Sequence, residues 1–233
     1  MAKMTSVISL DGIEIHIEKK SIRNMYIRIS PPDGLVKITA PRNMPQYKIE
    51  AFARQRMAWI RTHKEKYSVQ KERSFNDGET LFLWGKAYTI VLIETKGKAF
   101  AMADQGDMTA RLFIHQDFGT KEKLALWEDH CRESLSKAIP DALARCEEKV
   151  GTRANEWHIK KMKTRWGSCN YIKKRIWINL ALAYKPPVCL DYVLTHELVH
   201  LYEIKHNARF KSFMDDFFPA WREVKRVLNE KQD

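Results

Sequence analysis

His196-Glu197-Leu198-Val199-His200 is the segment whose residue types and spacing could do chemistry. Two histidines four positions apart on a helix lie about 40° apart around its axis and one turn along it, so both imidazoles leave the same face. That geometry offers two ligands to a tetrahedral Zn²⁺. Glu197 lies about 60° from His200 on the same helix. It is close enough to exchange a proton with a water at the metal and is not placed to ligate. The pattern is H-E-x-x-H. Pro186-Pro187 supplies a helix start, and Val193, Leu194, Leu198 and Leu201 give the helix a buried flank.

A catalytic zinc takes a third protein ligand and keeps a fourth position open. His206, ten residues after His196, is the expected third ligand. On an unbroken helix it would sit about 15 Å further along, so the helix must end and the chain must turn back. The spacing matches H-E-x-x-H-x-x-G-x-x-H. Glu203 stands in the glycine position, so the turn is expected around Ile204-Lys205 without glycine. Glu203 is itself the alternative third ligand, because some zinc hydrolases use a downstream Glu. His16, His63, His115, His130 and His158 are scattered and are expected outside the site.

The elements that must position these residues belong to a chain of 233 residues, 44% hydrophobic and 30% charged. That composition excludes the disordered and fibrous classes. The first forty residues alternate apolar and polar, with Ile13, Ile15 and Ile17, then Tyr26 to Ile29 and Leu35 to Ile38. This predicts an antiparallel meander turning at Pro31-Pro32-Asp33-Gly34. A helix is expected from Pro45 to Tyr67, and strands at Thr80 to Trp84, Tyr88 to Glu94 and Arg111 to His115. A long helix from about Thr120 to Val150 should break or restart at Pro140. Two strands, Glu156 to Lys163 and Arg175 to Asn179, surround a polar turn. Helices follow at about Pro187 to Glu203, Ala208 to Phe217 and Pro219 to Leu228. The fold class is therefore α+β. An N-terminal β-rich region of residues 1–118 and a zincin-like domain of residues 119–233 are expected.

No apolar run approaches the roughly 20 residues of a membrane helix, and Met1 to Leu10 lack a signal-peptide layout. A cytoplasmic chain with no membrane contact is expected. Cys131, Cys146, Cys169 and Cys189 form no C-x-x-C pair and read as reduced, mostly buried thiols.

The chain resembles the YgjP-like metallohydrolases, relatives of the SprT-like zinc proteases. Thr164-Arg165-Trp166-Gly167-Ser168-Cys169, Ile178-Asn179-Leu180 and Leu190-Asp191-Tyr192-Val193 carry the likeness, together with the His-Glu segment. Lys20-Ser21-Ile22-Arg23 through Ala40-Pro41-Arg42, and Trp59-Ile60, extend it over most of the chain. The resemblance implies one Zn²⁺ per chain on His196, His200 and His206, with Glu197 as acid/base. It also implies polar contacts of the site at Ser168 and Asn179. Arg165 is a further expected substrate contact, and Trp166 either walls the substrate groove or, as the simpler reading, packs in the core. Lys205-His206-Asn207 and Lys211 depart from the family pattern around the third ligand.

The formal net charge of +12 favours anionic partners. Lys160, Lys161, Lys163, Arg165, Lys173, Lys174 and Arg175 crowd the two strands before the metal helix. If they border the metal, they would attract phosphate-rich ligands or nucleic acid; otherwise they are a solvated face. A zinc-dependent metallopeptidase acting on peptide or protein is the leading expectation. One alternative is a UTP-type nucleotide pyrophosphatase on the same metal site. The second is a nucleic-acid-associated protein with a structural metal, although an open three-His site argues against it.

Overall fold

Alternating side chains in the first part of the chain build four strands. These are β1 (Thr5–Leu10), β2 (Ile13–Lys20), β3 (Tyr26–Ser30) and β4 (Leu35–Pro41), in a computed structural model that describes residues 5–30, 34–68 and 74–230. The sheet order is β1-β2-β4-β3. β2 runs parallel to β4, with Ile15 beside Val36 and Ile17 beside Ile38, so the sheet is mixed and not the expected meander. Period-two alternation decides which face a side chain takes and leaves the choice of neighbouring strand open. Most of the expected turn, Pro31-Pro32-Asp33, lies outside the described residues. α1 (Gln46–Arg54) and α2 (Met57–Ser68) replace the single expected helix. Their Ile49, Ala53, Met57 and Ile60 share one core with Ile15, Ile17, Val36 and Ile38.

The chain divides into two compact units, Met1–Arg73 and Ser74–Asp233. The boundary expected after residue 118 thus falls inside the second unit. The physical reason is a shared core. Leu81, Leu83, Tyr88, Ile90 and Leu112 are buried together with Trp127, Cys131, Leu135 and the metal helix.

In this second unit β5 (Thr80–Leu83), β6 (Lys86–Glu94), β7 (Phe100–Asp104) and β8 (Thr109–Ile114) form a sheet in the order β5-β6-β8-β7. α3 (Thr120–Val150) is one 31-residue helix that runs through Pro140. Packing overrides the lost backbone hydrogen bond there, because Ile139, Ala142 and Leu143 are buried on either side of the proline. β9 (Glu156–Lys160), β10 (Gly167–Asn170) and β11 (Arg175–Asn179) form a second sheet in the order β10-β11-β9. β9 and β11 pair in parallel, so they are not the two arms of a hairpin, and β10 pairs antiparallel to β11 at the sheet edge.

α4 (Pro187–Val199) carries the His-Glu segment, followed by α5 (Ala208–Phe217) and α6 (Trp221–Asn229). Its start is seated by the β5–β6 turn, where Trp84 and Gly85 both take positive φ, as a two-residue hairpin of this hand requires. A Cβ on Gly85 would lie 2.8 Å from Pro186 Cγ. Trp84 N and Gly85 N donate to Ala183 O (2.7 Å) and Tyr184 O (3.1 Å), tying that turn to the segment entering α4. All four cysteines are free thiols, three of them buried. Among the described residues, no helix is long and apolar enough to cross a membrane.

Candidate metal centre

α4 is almost wholly buried, with Leu190, Val193, Leu194, Leu198 and Val199 in the core. One face remains for His196 and Glu197. The helix ends at Val199, earlier than expected, and His200 caps it with φ −63° and ψ −13°. Tyr202 N donates to Val199 O at 2.9 Å, and the chain then bends through Ile204 and Lys205. No residue from Glu203 to His206 has positive φ, so the missing glycine costs the turn nothing. The Glu203 carboxylate stabilises this turn by accepting from Lys205 N at 3.1 Å. Asn207 then caps α5, its side chain accepting from Phe210 N at 3.0 Å.

The turn brings His206 back over the helix. His196, His200 and His206 present one nitrogen each, all within 4.8 Å of one another, and Glu203 is not among them. The Nε2 atoms of His196 and His206 are 3.0 Å apart. Zinc–nitrogen bonds of about 2.0–2.1 Å in a tetrahedron separate two ligand nitrogens by about 3.4 Å, so the donor set fits such an ion. His200 Nδ1 faces the Glu203 carbonyl oxygen at 3.1 Å. A carbonyl can only accept, so Nδ1 carries the proton and Nε2 is left free to ligate. Phe210 packs beneath all three rings, with centroids 4.7–4.8 Å away. Burial, with smaller effects from His200, His206 and Lys225, pushes His196 down to about 3.

Glu197 is 5% exposed. Burial pushes its carboxyl up to about 8, against a smaller downward pull from the Arg165 guanidinium. A Cβ on Gly167 would lie 2.7 Å from Glu197 Oε1 and 2.8 Å from Val193 Cγ1. β10 can therefore approach α4 only because residue 167 has no side chain.

The centre opens into a cavity of about 540 Å³, lined by Arg165, Trp166, Gly167, Ser168 and Cys169 on one side and by Tyr192, Lys225 and Asn229 among others. Of the expected substrate contacts, Arg165, Trp166 and Ser168 line this cavity. Trp166 also packs on the core and donates its indole N–H to Asn229 Oδ1 at 3.2 Å. Asn179 does not line this cavity. Its buried amide accepts from Met162 N and Ala181 N and donates to Met162 O (3.0 Å) and Arg165 O (2.7 Å), pinning the segment before β10.

Of the seven basic residues on and around these strands only Arg165 reaches the cavity. Lys161 pairs with Glu128 and Arg175 with Glu156, as befits a solvated face. Gly167, Tyr192, Phe210 and Lys225 were not expected at the site. Tyr192 carried a signal, four residues before His196 on the same helical face; Lys225, on α6, carried none.

The chain matches the family described as YgjP-like, metallopeptidase domain, over residues 23–231. No curated protein sequence matches it. Among solved structures, the metallopeptidase zymogen abylysin of Pyrococcus abyssi is similar at 20% identity and a TM-score of 0.36, over 39% of this chain and 90% of that one. The metallopeptidase zymogen jannalysin of Methanocaldococcus jannaschii is similar at 21% identity and a TM-score of 0.35, over 39% of this chain and 86% of that one.

Proposed function

We propose, for a chain that belongs to the YgjP-like metallopeptidase family and is a metal-dependent hydrolase, that it cleaves peptide bonds with Zn²⁺ held by His196, His200 and His206 and with Glu197 as the general base. The observation that carries this reading is the convergence of three imidazoles beside one buried carboxylate at the mouth of a cavity. When bound, the ion would supply Lewis acidity, polarising the scissile carbonyl and acidifying water.

The protein residues do the rest. Glu197 takes the proton of the attacking water on its carboxylate and returns it to the leaving amine. A nearby divalent charge favours the ionised form of Glu197, opposing the effect of burial. Phe210 and the Glu203 carbonyl fix the imidazole orientations. β10 is an edge strand whose Gly167, Ser168 and Cys169 line the cavity, which supports holding an extended peptide by backbone pairing. Among the described residues, Glu197 is the only carboxylate in the cavity wall. That argues against the acidic cluster a Mg²⁺-dependent nucleotidase would use.

Glu197→Gln is expected to retain one zinc per chain and to lose peptide hydrolysis by at least about a hundredfold, because an amide cannot accept the proton. Zinc content by elemental analysis and cleavage of an unfolded protein substrate check this. Turnover at the native rate would remove Glu197 from the mechanism.

A further inference from the structure

Two cations line this cavity. Arg165 precedes β10, and Lys225 lies on α6; both line the wall, and neither forms an ion pair among the described residues. Four other cations between Gly151 and Glu230 are paired. Lys161 has Glu128, Arg175 has Glu156, Arg222 has Asp215 and Arg226 has Glu230.

A single bridge brings the two cations to the same wall. Trp166, next to Arg165, donates to Asn229 Oδ1 at 3.2 Å, and the Asn229 amide donates back to Lys225 O at 2.7 Å. The Trp166–Asn229 contact therefore ties the two cation-bearing segments together. Arg165 acts on Glu197, and Lys225 acts on His196. Two like charges line one cavity, and a metal ion would add to the positive field, so the arrangement is suited to an anionic ligand that neutralises it. Among the described residues Glu197 is the only carboxylate in the wall, which leaves that negative charge to be supplied by a substrate.

We propose that Arg165 and Lys225 form a carboxylate-binding subsite beside the metal centre, and that the peptide cleaved carries a carboxylate within a residue or two of the scissile bond. The carboxylate is either an Asp or Glu side chain or the peptide's own C-terminus. This inference rests on the peptidase reading above and narrows its substrate class. Lys225 is the specificity residue that no sequence motif indicates.

The test uses the full zinc-loaded chain and sets of matched peptides. One set compares Glu with Gln on either side of the cleaved bond, a second compares a free with an amidated C-terminus, and a third places Lys at the same positions. Native protein is expected to favour the carboxylate member by at least about fivefold in kcat/KM, and whichever set shows the preference identifies its source. The preference should shrink as salt is raised.

Lys225→Gln and Arg165→Gln should each reduce the ratio, Lys225→Arg should retain it, and Lys225→Glu should shift it toward the Lys peptide. The ratio cancels any general effect of Arg165 on Glu197. Peptide affinity for the Glu197→Gln protein, read without turnover, should follow the same order. Equal cleavage of all matched peptides, or a native ratio in Lys225→Gln, overturns the subsite and leaves the peptidase reading standing. Hydrolysis of UTP with no peptide cleaved overturns both.

Discussion

Gly167 and Glu197 meet where β10 crosses α4, and the fit allows no side chain on the strand. Gly167→Ala would push the Glu197 carboxylate, Val193 or the strand itself aside by a few tenths of an ångström or more. The three histidines are held by other contacts, Phe210 and the Glu203 carbonyl. The variant is therefore expected to keep its zinc while losing roughly a hundredfold in kcat, the usual penalty for misplacing a catalytic group by about an ångström. Zinc analysis beside steady-state kinetics checks it. Loss of metal with loss of activity would mean that Gly167 supports the ligands and not the base. The contrast shows what was legible at this scale. His196, Glu197 and His200 announce themselves because a helix turns their spacing into geometry without outside help. The role of Gly167 depends on what crosses it, and that partner lies thirty positions away in sequence.

Elements were legible where their periodicity was local, and their pairing was not. The strands around Ile15, Ile27 and Val36 were readable from alternation, yet β4 inserts between β2 and β3. The strands around His158 and Trp177 read as a hairpin and pair in parallel, with β10 added at the edge. Gly167-Ser168-Cys169-Asn170 has neither β-branched residues nor alternation, so periodicity alone does not mark β10 as a strand. Its position is set instead by the segment before it, which the Asn179 amide holds through three hydrogen bonds, while a fourth caps the turn that follows β11. Asn179→Ala would leave two backbone carbonyls and two N–H groups without these partners inside the fold. A loss of about 2–4 kcal/mol is expected, since each unmet group costs on the order of 1 kcal/mol. Urea unfolding of the two proteins measures it. Because Trp166 follows the pinned segment, its fluorescence should also change before global unfolding. A difference below about 1 kcal/mol with unchanged fluorescence would show that the segment is held by something other than this amide.

In the whole molecule, the proposed metal ligands and the contacts that orient them lie in Ser74–Asp233, whose core is separate from the one built by Met1–Arg73. Ligand binding stabilises only those states that retain the site, by about 4 kcal/mol when zinc is at 1,000 times its dissociation constant. That stabilisation should appear as slower amide exchange in α4, α5 and β10, where opening destroys the three-histidine arrangement. Exchange in the β1–β4 sheet should not change, because opening that sheet leaves the ligands in place. Hydrogen exchange on the full chain, stripped with chelator and then reloaded, measures both units in one experiment. His206→Ala should remove most of the zinc-dependent protection. Glu203→Ala should largely retain it, since in the proposed site its carboxylate serves the turn, accepting from Lys205 N. If zinc protects the two units equally, they open as one cooperative body and the separation of their cores does not govern stability. If instead Glu203→Ala loses the protection and His206→Ala keeps it, the third ligand is the carboxylate, and the turn must rearrange when metal binds.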